Sequence, residues 1–231
     1  MIIPDAMFEV GLGILKLKLS TNKFLHTYGL EPKGFEGAVI DLETDEQPFS
    51  ADLKGAHRYR NFSVTCCGFL DTDTIEIFAR TTQSSDELLV RAVDEKVKKT
   101  NQPYCAFNAG FDMALLSKLM KKDIHFQREL QQFERQKKEY FRQNLGLPDF
   151  GDPFNGQGFL AAKEWTDYLI TGDMNCVKRI TAHNLACVST EYAFLILQGY
   201  REIKQNSCKA FFEGKSDLLC DNCNKLLTEM K

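Results

Sequence analysis

The sequence predicts an α/β fold whose mixed central sheet is flanked by helices. Three observations predict it. Short apolar runs bounded by turn residues fill the first third of the chain, helical spacing takes over after residue 85, and an apolar run at 103–108 then feeds straight into a second helix. GILKLKLS (13–20) alternates apolar and charged residues, as a strand with one wet face does. GAVIDLET (37–44) is a short apolar run suited to a buried central strand. NFSVTCCGFL (61–70) and TIEIFARTT (74–82) are β-rich, with Asp71, Thr72 and Asp73 as the turn between them. This gives the sheet an antiparallel opening.

SDELLVRAVDEKVKK (85–99) places acids in its first turn and lysines in its last, and Ser84 or Ser85 is the expected N-cap. PYCAFN (103–108) reads as a buried strand and FDMALLSKLM (111–120) as the helix after it. In 125–143 the residues Phe126, Leu130, Phe133 and Phe141 stand at roughly helical spacing among Gln, Arg and Lys, which predicts an amphipathic helix. A loop rich in Gly, Pro, Asp and Asn covers 146–158; further helices are expected from near Phe159 and over about 174–199. The expected organisation is an N-terminal extension (1–35), one α/β domain (36–200) with a helical insert and loop at 121–158, and a cysteine-containing tail (201–231).

A chain of 231 residues with 43% hydrophobic residues can build a sizeable core. The net charge of −3 excludes a polycation but leaves room for a local basic strip. No apolar run approaches the roughly 18–20 residues of a membrane helix, and the start carries Asp5 and Glu9 without a basic leader. A reduced, cytoplasmic setting is therefore expected, with no membrane partner and with the eight cysteines as thiols or metal ligands.

On a strand, Asp41 and Glu43 project from one face while Ile40 and Leu42 enter the other. Two carboxylates side by side in a buried strand call for a compensating cation, and a hard divalent ion with oxygen ligands supplies one; two acids facing water at a strand end are the plainer alternative. In FNAGFD (107–112) an apolar strand ends, Asn108 is placed to hold the turn, and Asp112 opens the helix, either as a simple N-cap or as a third ligand. Both segments put acids at the ends of buried strands, where α/β folds carry their ligand sites.

VIDLET and FNAGFD resemble the first two motifs of the DEDD family of 3′–5′ exonucleases in the ribonuclease-H-like superfamily. WTDYLITGDMNCVKRITAHNLACVSTEYAFLIL (165–197) resembles the third, most closely that of the branch related to polymerase-B proofreading domains. The resemblance spans roughly 36–198 and implies a ribonuclease-H-like fold and metal-dependent 3′–5′ hydrolysis of single-stranded DNA or RNA. It implies a two-metal centre with Mg²⁺ or Mn²⁺, in which Asp41 bridges the metals, Glu43 and Asp112 hold one of them or position water, and His183 is the general base. That branch has Tyr and Asp where this chain has His183 and Cys187, so Cys187 occupies the place of the fourth carboxylate. A thiolate suits Mn²⁺ or Zn²⁺ better than Mg²⁺. Glu191, one turn beyond, and Asp173 are candidate substitutes; their plainer readings are an exposed helix residue and an N-cap. The alternative to an exonuclease is a weakened homologue that binds nucleic acid or serves as a structural subunit.

Residues 121–142 carry Lys121, Lys122, Arg128, Arg135, Lys137, Lys138 and Arg142 against four acids, a mildly basic helix able to follow a phosphate backbone or simply to face water. Asn108, Lys137 and Lys138 are the candidate substrate contacts. In the tail, Cys220 and Cys223 form a Cys-x-x-Cys pair with Cys208 upstream. A structural Zn²⁺ site completed by Cys176, an iron–sulfur cluster and three unligated thiols are all open readings. Cys66, Cys67 and Cys105 read as core.

Overall fold

The computed structural model describes residues 7–45, 47, 52–84, 86–131 and 137–203. The described residues build one mixed sheet of eight strands flanked by helices. Its strands are β1 (Phe8–Gly11), β2 (Ile14–Ser20), β3 (Ala38–Thr44), β4 (Val64–Leu70), β5 (Thr74–Arg80), β6 (Tyr104–Ala106), β7 (Arg128–Glu129) and β8 (Arg201–Glu202). They lie side by side in the order β1-β2-β5-β4-β3-β6-β7-β8. From β1 to β3 every pairing is antiparallel; β3–β6 and β6–β7 are parallel, and β7–β8 is antiparallel again. The antiparallel opening read from the sequence is therefore present. The 1–35 stretch contributes β1 and β2, and β2 pairs with β5 along its whole length.

The helices are α1 (Thr21–His26), α2 (Asp86–Lys99), α3 (Ala109–Met120), α4 (Lys138–Asn144), α5 (Phe159–Thr171) and α6 (Met174–Gln198). Two apolar layers cover the two faces of the sheet. One joins Val39, Cys66, Leu70 and Ile77 to α5 and α6 through Trp165, Ile180, Val188 and Phe194. The other joins Ile40, Leu42, Cys67 and Phe69 to α2 and α3 through Leu89, Val93, Leu115 and Leu116. Alternation along β3 thus sends Ile40 and Leu42 toward α3, and leaves Asp41 and Glu43 facing α6.

Several expectations are corrected. The helix expected over 125–143 is not one helix: β7 occupies 128–129, residues 132–136 (with Phe133 and Arg135) lie outside the described residues, and among the described residues of the stretch only those from Lys138 on are helical, in Lys138–Asn144. Phe126 and Leu130 are buried, but in opposite layers. The basic strip dissolves with the helix. Lys122 pairs with Asp94 at 2.7 Å, Arg128 lies over the Tyr200 ring, and Arg142 is held by Glu139. By length and composition α6 passes as a membrane-crossing helix, but it carries Lys178, Arg179 and Glu191, and 78% of its most apolar stretch is buried within the fold. Cys66, Cys67 and Cys105 are buried free thiols. Cys208, Cys220 and Cys223 lie outside the described residues, as does Ser85.

Candidate metal centre

The site forms where β3 outruns β6. β6 pairs with β3 only through Tyr104 and Cys105, and the chain then turns into α3 at Asn108. Beyond that point β3 pairs with β4 on one side only, and the Leu42 N–H on the β6 side meets no strand among the described residues. Asp112, in the first turn of α3, takes this donor on Oδ1 at 3.1 Å. That bond fixes a third carboxylate next to Asp41 and Glu43. Asn108 holds the turn by its backbone carbonyl, which accepts from Phe111 and Asp112; its side chain is exposed and makes no cap, contrary to expectation.

The opposite wall is α6, started by Asp173, whose side chain accepts from the Asn175 N–H at 3.0 Å. Asp173 is the N-cap and not a ligand. One helical stripe of α6 carries Asn184, Cys187 and Glu191 toward the strand ends, with His183 beside them. Asn184 donates from Nδ2 to the Asp41 carboxylate at 2.8 Å and to the Asp41 carbonyl at 3.1 Å. Glu191, expected on the surface, is fully buried. It accepts from the Phe107 N–H at 3.1 Å and from the Lys138 ammonium. Lys138 also donates to Asp41 at 2.9 Å. Asp41, Glu43, Asp112 and Glu191 are thus four buried carboxylates around a single ammonium. Lys137, in contrast, is exposed at the start of α4.

His183 is buried, and its Nδ1 lies 2.7 Å from Asp152 Oδ1. Asp152 is itself pinned by the N–H groups of Phe154 and Gly156. Asp152 accepts the Nδ1 proton, so Nε2 is left facing Glu43 Oε1 at 3.7 Å and Cys187 Sγ at 3.7 Å. Nothing in the 146–158 stretch beyond its turn composition marked Asp152, and Asn184 was passed over beside His183.

Burial and mutual repulsion set the charges. Burial pushes the carboxyls of Glu43, Asp112 and Glu191 well above their ordinary values. Nearby Asp41 raises each of them further. Burial also works against the charge on Asp41, but Lys138 beside it holds that carboxyl below the usual range. Burial opposes the charged imidazolium of His183, yet Glu43 and Asp152 leave its pKa raised. Burial keeps the Cys187 thiol protonated well past its ordinary value. Asp41, Glu43, His183 and Cys187 line a cleft of about 150 Å³ together with Lys138, Asp152, Arg142 and Asp149, while Asp112 and Glu191 lie behind its lining. Several water-sized sites fit there. Chemically, the arrangement can hold a cation against oxygen, nitrogen and sulfur donors and can pass a proton through His183. No protein-family model, curated protein or solved structure matches the chain significantly, so the reading of this site rests on its own geometry.

Proposed function

We propose that the chain is a metal-dependent, ribonuclease-H-like nuclease that hydrolyses single-stranded nucleic acid from its 3′ end. The observation that carries this reading is that Asp41, Glu43, Asp112 and Glu191, from three segments, are all buried around the ends of β3 and β6, with Lys138 bridging Asp41 and Glu191. Burial holds three of the four carboxyls well above their ordinary values, Asp41 raises each further, and Lys138 offsets this only in part. A hard oxygen donor set with a surplus of negative charge fits Mg²⁺ or Mn²⁺. The antiparallel opening of the sheet onto parallel strands supports the same reading.

The residues that would hold such ions are Asp41, Glu43, Asp112 and Glu191, which supplies the carboxylate that Cys187 lacks. When bound, a divalent ion lowers the pKa of water and neutralises charge on the phosphoryl oxygens. The chain's own groups do the rest. Asn184 keeps the Asp41 carboxylate turned toward the cleft. Asp152 fixes the tautomer of His183, whose Nε2 offers its lone pair to a proton or to a cation. Lys138 screens Asp41 and Glu191 in the absence of metal. At about 150 Å³ the cleft is smaller than a ligand pocket of about 300 Å³, and Lys138 is one of the side chains that line it.

Lys138 also favours a second reading, a binding homologue whose ammonium permanently fills the cation position. A gel assay separates the two. Purified chain meets 5′-labelled single-stranded DNA and RNA with Mg²⁺, Mn²⁺ or chelator, beside Asp41→Asn. The expected result is a metal-dependent ladder shortening from the 3′ end and reduced to background in the variant. Retarded but uncut substrate under every metal would select the binding homologue.

A further inference from the structure

Around the cleft the donors divide by chemistry. Asp41, Asp112 and Glu191 are oxygen donors, and two of them already face the Lys138 ammonium. Glu43, His183 and Cys187 form a separate trio that offers one oxygen, one nitrogen and one sulfur, all within 4.8 Å of one another. Two of the three separations are 3.7 Å. A tetrahedral ion with bonds of about 2.0–2.3 Å needs donors about 3.3–3.8 Å apart, so the trio is close to closing on such an ion without moving the backbone.

The surroundings of the trio are also built. Metal-bound imidazoles ordinarily donate their second N–H to a carboxylate, which fixes the ring and strengthens the ligand. Asp152 does this for His183 at 2.7 Å, and two backbone N–H groups orient Asp152 in turn. The Phe154 ring, 5.1 Å from the imidazole, packs beside it. His183 and Cys187 are four residues apart on α6, one turn of one face, so a rigid helix sets their spacing. All three donors line the cleft, which leaves a fourth position open to water or substrate.

We infer that Glu43, His183 and Cys187 form a thiophilic metal site that takes a single Zn²⁺-class ion, with Asp152 as the carboxylate that orients its histidine. Binding replaces the Cys187 S–H proton by the metal, and that proton leaves to solvent. Three protein ligands and one open position is the pattern of a catalytic zinc site, not a structural one. The assignment rests on the nuclease reading for the use of the metal but not for its presence. It makes His183 a ligand, and it makes Lys138 the cation on the oxygen-only side of the cleft.

The test uses the full chain, stripped of metal under reducing conditions and titrated with Co²⁺. Wild-type protein should develop a near-ultraviolet thiolate-to-cobalt charge-transfer band, and Zn²⁺ should bleach it. Tail cysteines contribute equally to wild type and Cys187→Ser, so the difference spectrum isolates Cys187. A band in that difference supports the site; superimposable spectra overturn it. Asp152→Asn should weaken Zn²⁺, measured by competition, about 10–100-fold. Cys187→Asp guards against a variant that merely unfolds, because it keeps a ligand and should shift preference from Zn²⁺ toward Mn²⁺ or Mg²⁺; an unchanged preference overturns the assignment. Failure of the nuclease reading looks different: the band is present, but no metal supports cleavage. A Mg²⁺-dependent ladder without the band leaves the nuclease and removes the thiophilic site.

Discussion

Lys138 sits with its ammonium between Asp41 and Glu191 and 5.7 Å from the centroid of the Phe107 ring. Replacing it by Met keeps the stem and deletes the charge. In chelator, this leaves two buried carboxylates facing each other, and breaking such a contact costs about 3 kcal/mol. With Mn²⁺ the same change removes a competitor, so the ion should bind at least about tenfold tighter, in line with about 1.4 kcal/mol per decade. Urea unfolding in chelator and a Mn²⁺ titration measure the two effects. If both are flat, the ammonium does not compete for the cation position. At this scale the sequence was only half legible. Asp41 and Glu43 were readable as neighbours because strand alternation fixes them locally, while Asp112, His183 and Cys187 were singled out by motif resemblance, one helical turn setting the spacing of the last two. Glu191 was not, because an acid on a helix is exposed unless the whole helix is enclosed, and α6 is enclosed nearly all round. Lys138 was read into a phosphate-facing helix because the extended course of 128–129 depends on distant strands.

Among the elements, the approach of α6 to β4 decides whether the site can form at all. Gly68 on β4 pairs with Asp41 across the sheet. A Cβ at Gly68 would meet Asn184 Oδ1 at 2.1 Å and a Val188 methyl at 3.2 Å. Asn184 cannot swing aside cheaply, because its Nδ2 holds Asp41. Gly68→Ala should therefore cost about 1–3 kcal/mol by overpacking. It should also weaken divalent-ion binding, by pushing α6 and its His183, Cys187 and Glu191 off the strand ends. Thermal unfolding and a metal titration test both; a variant that loses stability but keeps full metal affinity would mean that α6 relaxes as a unit without disturbing its ligands. Elements with a clean period were legible: β2, β3, β4 and β5 from alternation or short apolar runs, and α2, α5 and α6 from length and caps. β7 was not. Phe126 and Leu130 are four apart, which imitates a helix face, yet the extended chain buries them in opposite layers. A two-residue strand wedged between β6 and β8 leaves no period to read.

For the whole molecule these charges predict how stability depends on pH. Burial raises the carboxyls of Glu43, Asp112 and Glu191, so the folded chain holds protons that the unfolded chain has released. Their contribution to stability falls as pH rises from the ordinary carboxylate range through the raised values. The raised His183 acts in the same direction: its contribution is complete below the ordinary histidine pKa and disappears as pH passes the folded value. Asp71, Glu76 and Asp152 oppose this on the acid side. Burial works against their charge, but Lys96 holds the first two and His183 the third below the ordinary range, so their contribution disappears only as pH falls through the lowered values. Metal-free protein should therefore be most stable near about pH 5 and should weaken toward about pH 8. A divalent ion binds only the deprotonated donors, so its stabilisation grows with pH and reaches about 2.7 kcal/mol at a hundredfold excess over its Kd. Urea midpoints taken across that range, in chelator and in saturating Mn²⁺, should fall in the first series and level off or rise in the second. A midpoint that rises with pH in chelator would mean that the four carboxylates do not share one buried site.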